Sequence, residues 1–165
     1  MLFQGEVLSV AALLDAARAN PETVPSPRVG VGVRNTAAQN AAACRALLVG
    51  GEGLDECWRF GILQTLDDYT SALRRGGPAL AAGVFADEPP HTGSVEVDAA
   101  FAALAEYLAE RDGWRAPGWT LDSWRRTDAW YPAVPAIFHA DADRESPEAF
   151  RRRGILITSR SLARA

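Results

Sequence analysis

The stretch that decides the fold class covers residues 54–75 and reads LDECWRFGILQTLDDYTSALRR. Large apolar side chains recur along it at the spacing of one buried helix face; they are Leu54, Trp58, Ile62, Leu66, Tyr69 and Leu73. Gly76, Gly77 and Pro78 follow, and this combination predicts the end of the helix. The sequence therefore predicts that residues 54–75 form the longest helix in the chain.

Helices are also predicted on both sides of this stretch. One covers about residues 10–20, and another begins at a cap supplied by Asn35 or Thr36 and ends before Gly50. A fourth covers residues 95–112 and stops at Gly113. Apolar and polar residues do not alternate strictly over several segments. The predicted fold is mostly α, a compact helical domain of about four to six helices with an aromatic-rich loop segment and at most a few short strands.

Length and composition narrow the class of protein further. The 165 residues suit a single domain, 1–165, and Pro89-Pro90 suggests a possible subdivision into residues 1–88 and 94–165. A formal net charge of −4 makes nucleic acid an unlikely partner, and no apolar run is long enough to predict a membrane span. Cys44 and Cys57 fall on predicted apolar helix faces, so we expect buried thiols and a reducing, cytoplasmic location.

Two features indicate a surface that contacts another protein. The first is a run of aromatic residues, the type enriched at binding hot spots; it contains Trp114, Trp119, Trp124, Trp130 and Tyr131. The second is a triplet of arginines at 151–153, whose guanidinium groups can bind carboxylate or phosphate bidentately. Each feature also has a purely structural explanation, because aromatics can cover a helical core and arginines can complement a helix dipole. The candidate partner-binding residues are Trp119, Trp130, Tyr131, Arg151, Arg152 and Arg153.

The C-terminal stretch from residue 145 predicts a short helix followed by an apolar run. Ser146 is expected to cap this helix, and Pro147 suits its first position, where a missing N–H costs nothing. Gly154 suits the left-handed conformation that ends a helix. Residues 135–144, just before it, are expected to form a connector.

A different interpretation starts from His139, Asp141 and Asp143, since an imidazole and two carboxylates are cation ligands. It describes a small metal-dependent or small-molecule-binding enzyme, but alternate residues in a loop have no defined geometry, and a solvated acidic linker is the favoured explanation of these residues. The favoured prediction is a non-enzymatic chain with no catalytic residues, no cofactor and no bound metal. A third interpretation is a structural or oligomerisation module that forms a homo-oligomer.

The C-terminal third of the chain carries a recognisable pattern. It contains an aromatic-proline pair at Tyr131-Pro132, the element Ser-Pro-x-Ala-Phe-Arg-Arg-Arg-Gly-Ile at 146–155, and a terminal Leu-x-x-Ala. Residues 114–165 with this pattern resemble the C-terminal region of small actinobacterial proteins that accompany predicted nucleotidyltransferase-like partners. The resemblance implies an antitoxin-like role and a protein partner of that kind.

Overall fold

A computed structural model describes residues 32–163, which are mostly helical. The helices are α1 (Ala37–Val49), α2 (Leu54–Cys57), α3 (Leu63–Ala82), α4 (Val95–Asp112), α5 (His139–Glu145) and α6 (Glu148–Arg151). A π-helical turn, Trp58–Ile62, joins α2 to α3, and 3₁₀ turns cover Gly83–Phe85, Gly118–Leu121 and Ala136–Phe138. The described residues contain one isolated parallel bridge, between Trp130 and Ile155, and no strand. The mostly-α prediction is confirmed, whereas the helix predicted over 10–20 lies outside the described residues.

Helix α4 forms the centre of the core. Every residue from 99 to 105 is fully buried, because this central part of the helix is apolar on all sides and is surrounded by other elements. It contacts α1, α2, α3, α6, the π-helical turn and the 118–121 turn. Ser94 caps its start by accepting a hydrogen bond from the Val97 amide, and Gly113, with φ 74°, ends it as predicted. None of the helices within residues 32–163 is long and apolar enough to cross a membrane.

The predicted long helix is present, with two differences from the prediction. The π-helical turn interrupts it at Trp58–Ile62, and a second, short helix follows directly after its predicted end at the Gly-Gly-Pro sequence. Gly77 leaves the helical conformation, with φ 73° and ψ −173°, but Pro78 starts a further helical turn that continues to Ala82. Proline suits a first helical position because no partner is needed for the N–H that it lacks, so the Gly-Gly-Pro sequence ends the long helix, as predicted, and Pro78 begins the short one.

Small residues let α1 approach the π-helical turn closely. Gly61 faces Cys44 so tightly that a Cβ atom on the glycine would overlap the cysteine sulfur. The two buried, free thiols lie here, and each Sγ is 3.7 Å from the carbonyl oxygen of the other cysteine. Burial raises the pKa of Cys44 to about 12, and the prediction of buried thiols is confirmed.

The C-terminal segment requires two corrections to the sequence predictions. Ser146 does not cap α6; its hydroxyl donates to the Ile155 carbonyl at 2.9 Å and accepts from the Ile157 amide at 3.3 Å. Ser146 therefore binds residues 155–157, which follow α6, and the local sequence could not indicate this contact. Residues 139–145 are helical and not a connector, because the 3₁₀ turn at Ala136–Phe138 leads directly into α5. Gly154 has φ 78°, as predicted for the residue that ends α6.

Candidate functional site

The six predicted partner-binding residues do not form one continuous surface, since two of them are buried. Trp119 is 9% exposed and its Nε1 donates to the Phe85 carbonyl at 3.2 Å. Arg153 is 5% exposed, donates to two backbone carbonyls and forms an ion pair with Glu106 of α4. These two side chains attach the C-terminal half of the chain to the core. Their proposed contact with a partner stays a prediction.

The other two arginines and Trp130 lie nearer the surface. Arg151 is exposed and its Nη2 donates to the carbonyls of Arg144 and Ser146, at 3.0 and 2.9 Å. Arg152 is also exposed and pairs with Glu106. Trp130 is partly buried, packs edge-on against Trp58 with ring centroids 6.0 Å apart, and forms backbone hydrogen bonds of 2.8 Å with Gly154 and Leu156. Arg152 and Arg153 thus share the Glu106 carboxylate, whereas Arg151 binds two backbone carbonyls, so the three guanidinium groups do not converge on one point.

Tyr131 is the centre of a well-ordered cluster. Its ring stacks on His139 with centroids 3.7 Å apart and planes at 8°, and its hydroxyl donates to Asp143 at 2.8 Å. This hydrogen bond raises the pKa of the Tyr131 hydroxyl. The His139 Nε2 lies 3.2 Å from the Val134 carbonyl, so this nitrogen carries the proton and donates. The structure therefore brings Tyr131 together with two residues of the metal-site interpretation.

The three residues of that interpretation do not converge on one point. Asp141 pairs with Arg144 on the same helix, while Asp143 accepts the Tyr131 hydroxyl. In α5, His139 and Asp141 are separated by two helical positions and so lie on different faces. Across residues 32–163, no group of three or more His, Cys, Asp or Glu side chains could hold a metal ion.

Beside the Tyr131 cluster lies a groove with a volume of about 460 Å³. Its first wall is apolar and consists of Ala133, Val134, Pro135 and Phe138. The second wall is the turn at residues 158–161, and α5 contributes Asp141 and Glu145. The groove is therefore apolar on one side and polar on the other.

Hydrogen bonds fix both walls of the groove. The Ser159 amide donates to Glu145 at 2.8 Å, and the Thr158 amide donates to the Ser161 hydroxyl at 3.1 Å. On the first wall, Ala133 has a positive φ of 52°, and its amide donates to Asp55 of α2 at 3.0 Å. The groove is thus built on a fixed backbone.

Two large apolar side chains next to this groove are exposed, and sequence reasoning missed both. Ile137 is 80% exposed and Phe138 is 45% exposed. They close the run YPAVPAIF at residues 131–138, which has no polar side chain except the tyrosine hydroxyl. An uninterrupted apolar run with two prolines is not a helix interior, so the sequence indicates a loop here but not whether its apolar side chains are exposed.

Comparison of the chain with protein-family models, curated proteins and solved structures gave no match.

Proposed function

We propose that this chain is a non-enzymatic partner of another protein and binds it through the groove beside Tyr131. The observation that carries the proposal is the exposure of Ile137 and Phe138 next to a groove whose walls are already ordered. Exposed apolar side chains on a rigid backbone suit a binding surface, because little conformational entropy is lost when a partner covers them.

The surrounding polar groups support a protein as the ligand. Asp141, Glu145 and the turn at residues 158–161 supply polar groups to the groove, and Arg151 is exposed and already held by two carbonyls. An apolar centre with a polar rim is the usual anatomy of a protein interface. Trp119 and Arg153 are buried, so they are not among the proposed contacts.

The resemblance of residues 114–165 supplies the identity of the proposed partner. It implies a nucleotidyltransferase-like protein and an antitoxin-like role for this chain. We therefore predict that the gene for such a protein lies next to the gene for this chain. The two proteins are expected to form a complex when they are expressed together.

The test is co-expression of the full chain with the neighbouring gene product, followed by co-purification and size-exclusion chromatography. Ile137→Ser is expected to weaken the complex by about tenfold, because an exposed isoleucine that becomes covered contributes roughly 1.5 kcal/mol or more. Val49→Ser is the matched control, because Val49 is 83% exposed and Ile137 is 80% exposed. The control is expected to bind as the wild type does.

Two outcomes contradict the proposal. One is the absence of a complex with the neighbouring protein, or of any such gene. The other is equal binding by the wild type and the Ile137→Ser variant, which would place the interface elsewhere. Self-association of the purified chain without a partner would instead support the oligomerisation module.

A further inference from the structure

A second exposed surface lies at the junction of residues 86–98 and 121–126. A column of four side chains, Trp119, Arg125, Trp124 and His91, runs through it from the core to the solvent. The Arg125 guanidinium carbon lies 4.9 Å from the Trp119 ring centroid and 4.1 Å from that of Trp124. His91 stacks on Trp124 at 4.0 Å. Both faces of the Trp124 ring are therefore covered, and its edge remains exposed.

Arg125 fixes this junction from below. Its side chain is fully buried and donates to Glu88 at 3.1 Å and to the Pro89 carbonyl at 3.0 Å. Its Nε lies 3.8 Å from Asp122. Separating a buried guanidinium group from its partners costs much free energy. Residues 86–98 and 121–126 are therefore held together as one rigid surface.

Buried Asp98 fixes the same junction from the side of α4. It accepts hydrogen bonds from the amide and the hydroxyl of Thr92, at 2.9 and 2.8 Å. His91 Nδ1 lies 3.4 Å from its second oxygen, while the imidazole itself remains largely exposed. The loop that presents His91 is thus ordered before any partner arrives.

The surface is apolar at its centre and acidic around it. Leu121, next to Asp122, is 78% exposed, and the edge of Trp124 and the ring of His91 also face solvent. The two segments carry five carboxylates, Asp87, Glu88, Glu96, Asp122 and the buried Asp98, against two guanidinium groups, Arg126 and the buried Arg125. The junction therefore has a negative field around exposed apolar side chains.

We propose that this surface, centred on Leu121, Trp124 and His91, docks a basic, amphipathic segment of a partner protein. The negative charge of this surface argues against three other ligands, namely a second copy of this chain, nucleic acid and anionic lipid. A second copy related by a two-fold axis would place the same acidic rim against itself, and like charges facing each other disfavour that contact. Nucleic acid and anionic lipid would bring phosphates against the same carboxylates. A segment with apolar side chains and Lys or Arg complements both parts of the surface.

The test uses the full chain labelled with ¹⁵N and two synthetic helical peptides, one of leucine and lysine and one of leucine and glutamate in the same pattern. The lysine peptide is expected to shift the amide signals of residues 87–92 and 121–126. Leu121→Ser is expected to weaken its binding by about tenfold. Asp87→Asn, at an exposed rim position, is expected to weaken it by about twofold. Val49→Ser is the matched apolar control and is expected to leave the binding unchanged.

Three results would overturn the proposal. They are equal binding of the lysine and glutamate peptides, unchanged binding by the Leu121→Ser variant, and signal shifts confined to residues outside the two segments. The groove beside Tyr131 is not involved, so Ile137→Ser is expected to bind the peptide as the wild type does. Failure of this proposal is therefore distinguishable from failure of the proposed function.

Discussion

At Gly154, one added methyl group is expected to overlap neighbouring backbone and to destabilise the fold. It has φ 78°, and a Cβ there would overlap the Thr127 carbonyl oxygen and lie 2.9 Å from the Thr127 carbonyl carbon. Backbone cannot move aside as a flexible side chain can. Gly154→Ala is therefore expected to push residues 127–130 away from residues 153–156, where the Trp130–Ile155 bridge forms.

The expected loss of stability has two parts. Left-handed backbone costs an alanine roughly 1 kcal/mol. Separation of the segments also breaks three backbone hydrogen bonds, from Thr127 to Arg153, from Trp130 to Gly154 and from Leu156 to Trp130, of 3.0, 2.8 and 2.8 Å. At about 1 kcal/mol for each bond, the total is roughly 4 kcal/mol. Gly113→Ala is the matched control, because Gly113 has φ 74° but nothing within 4 Å of its added Cβ, and it is expected to lose only the roughly 1 kcal/mol of strain.

Urea denaturation of the two variants and the wild type, followed by tryptophan fluorescence, measures these free energies of unfolding. Trp130 and Trp58 lie at the affected contact, so their emission also reports any loosening in the native state. The reasoning is refuted if Gly154→Ala loses no more stability than Gly113→Ala does.

Three further predictions concern the core and the acid side of the pH range. Gly61→Ala is expected to cost roughly 2 kcal/mol of unfolding free energy because its methyl overlaps Cys44 Sγ, and Cys44→Ala in the same chain should recover much of that loss; additive effects in urea denaturation would contradict this. Because burial raises the pKa of Cys44 to about 12, the native thiol should resist alkylation at about pH 8 until the chain unfolds, and rapid labelling seen by mass spectrometry would argue against it. The hydrogen bond from Arg111 holds the pKa of Asp112 below its ordinary 3.8, so the associated stability is present above that value and is lost as the pH falls below it. Asp112→Asn should flatten this loss in urea titrations between about pH 4 and pH 2, and an unchanged slope would refute the assignment.

At the candidate site, residue type alone identifies individual side chains of interest but does not predict which of them pack together. Tyr131 was singled out as a rigid aromatic, and His139 and Asp143 as possible ligands, yet nothing in their spacing predicted that they would form one cluster. Their meeting depends on the turn at Ala133, whose positive φ is stabilised by Asp55, far away in the sequence. Ile137 and Phe138 were missed because an apolar run is the same whether it ends buried or exposed.

Local sequence was enough for the elements whose signals are short-range. The bounds of α4 follow from Ser94, Gly113 and an apolar pattern between them, because capping and periodicity act within a few residues. The hydrogen bonds of Ser146 and the burial of the arginines depend on long-range contacts. Ser146 bonds to Ile155 and Ile157 in place of its own helix. Arg151 and Arg153, two positions apart, are exposed and buried respectively, because Arg153 reaches Glu106 and the Thr120 carbonyl, whereas Arg151 bonds to the carbonyls of Arg144 and Ser146. A side chain is buried by the residues that pack against it, and those residues are distant from it in the sequence.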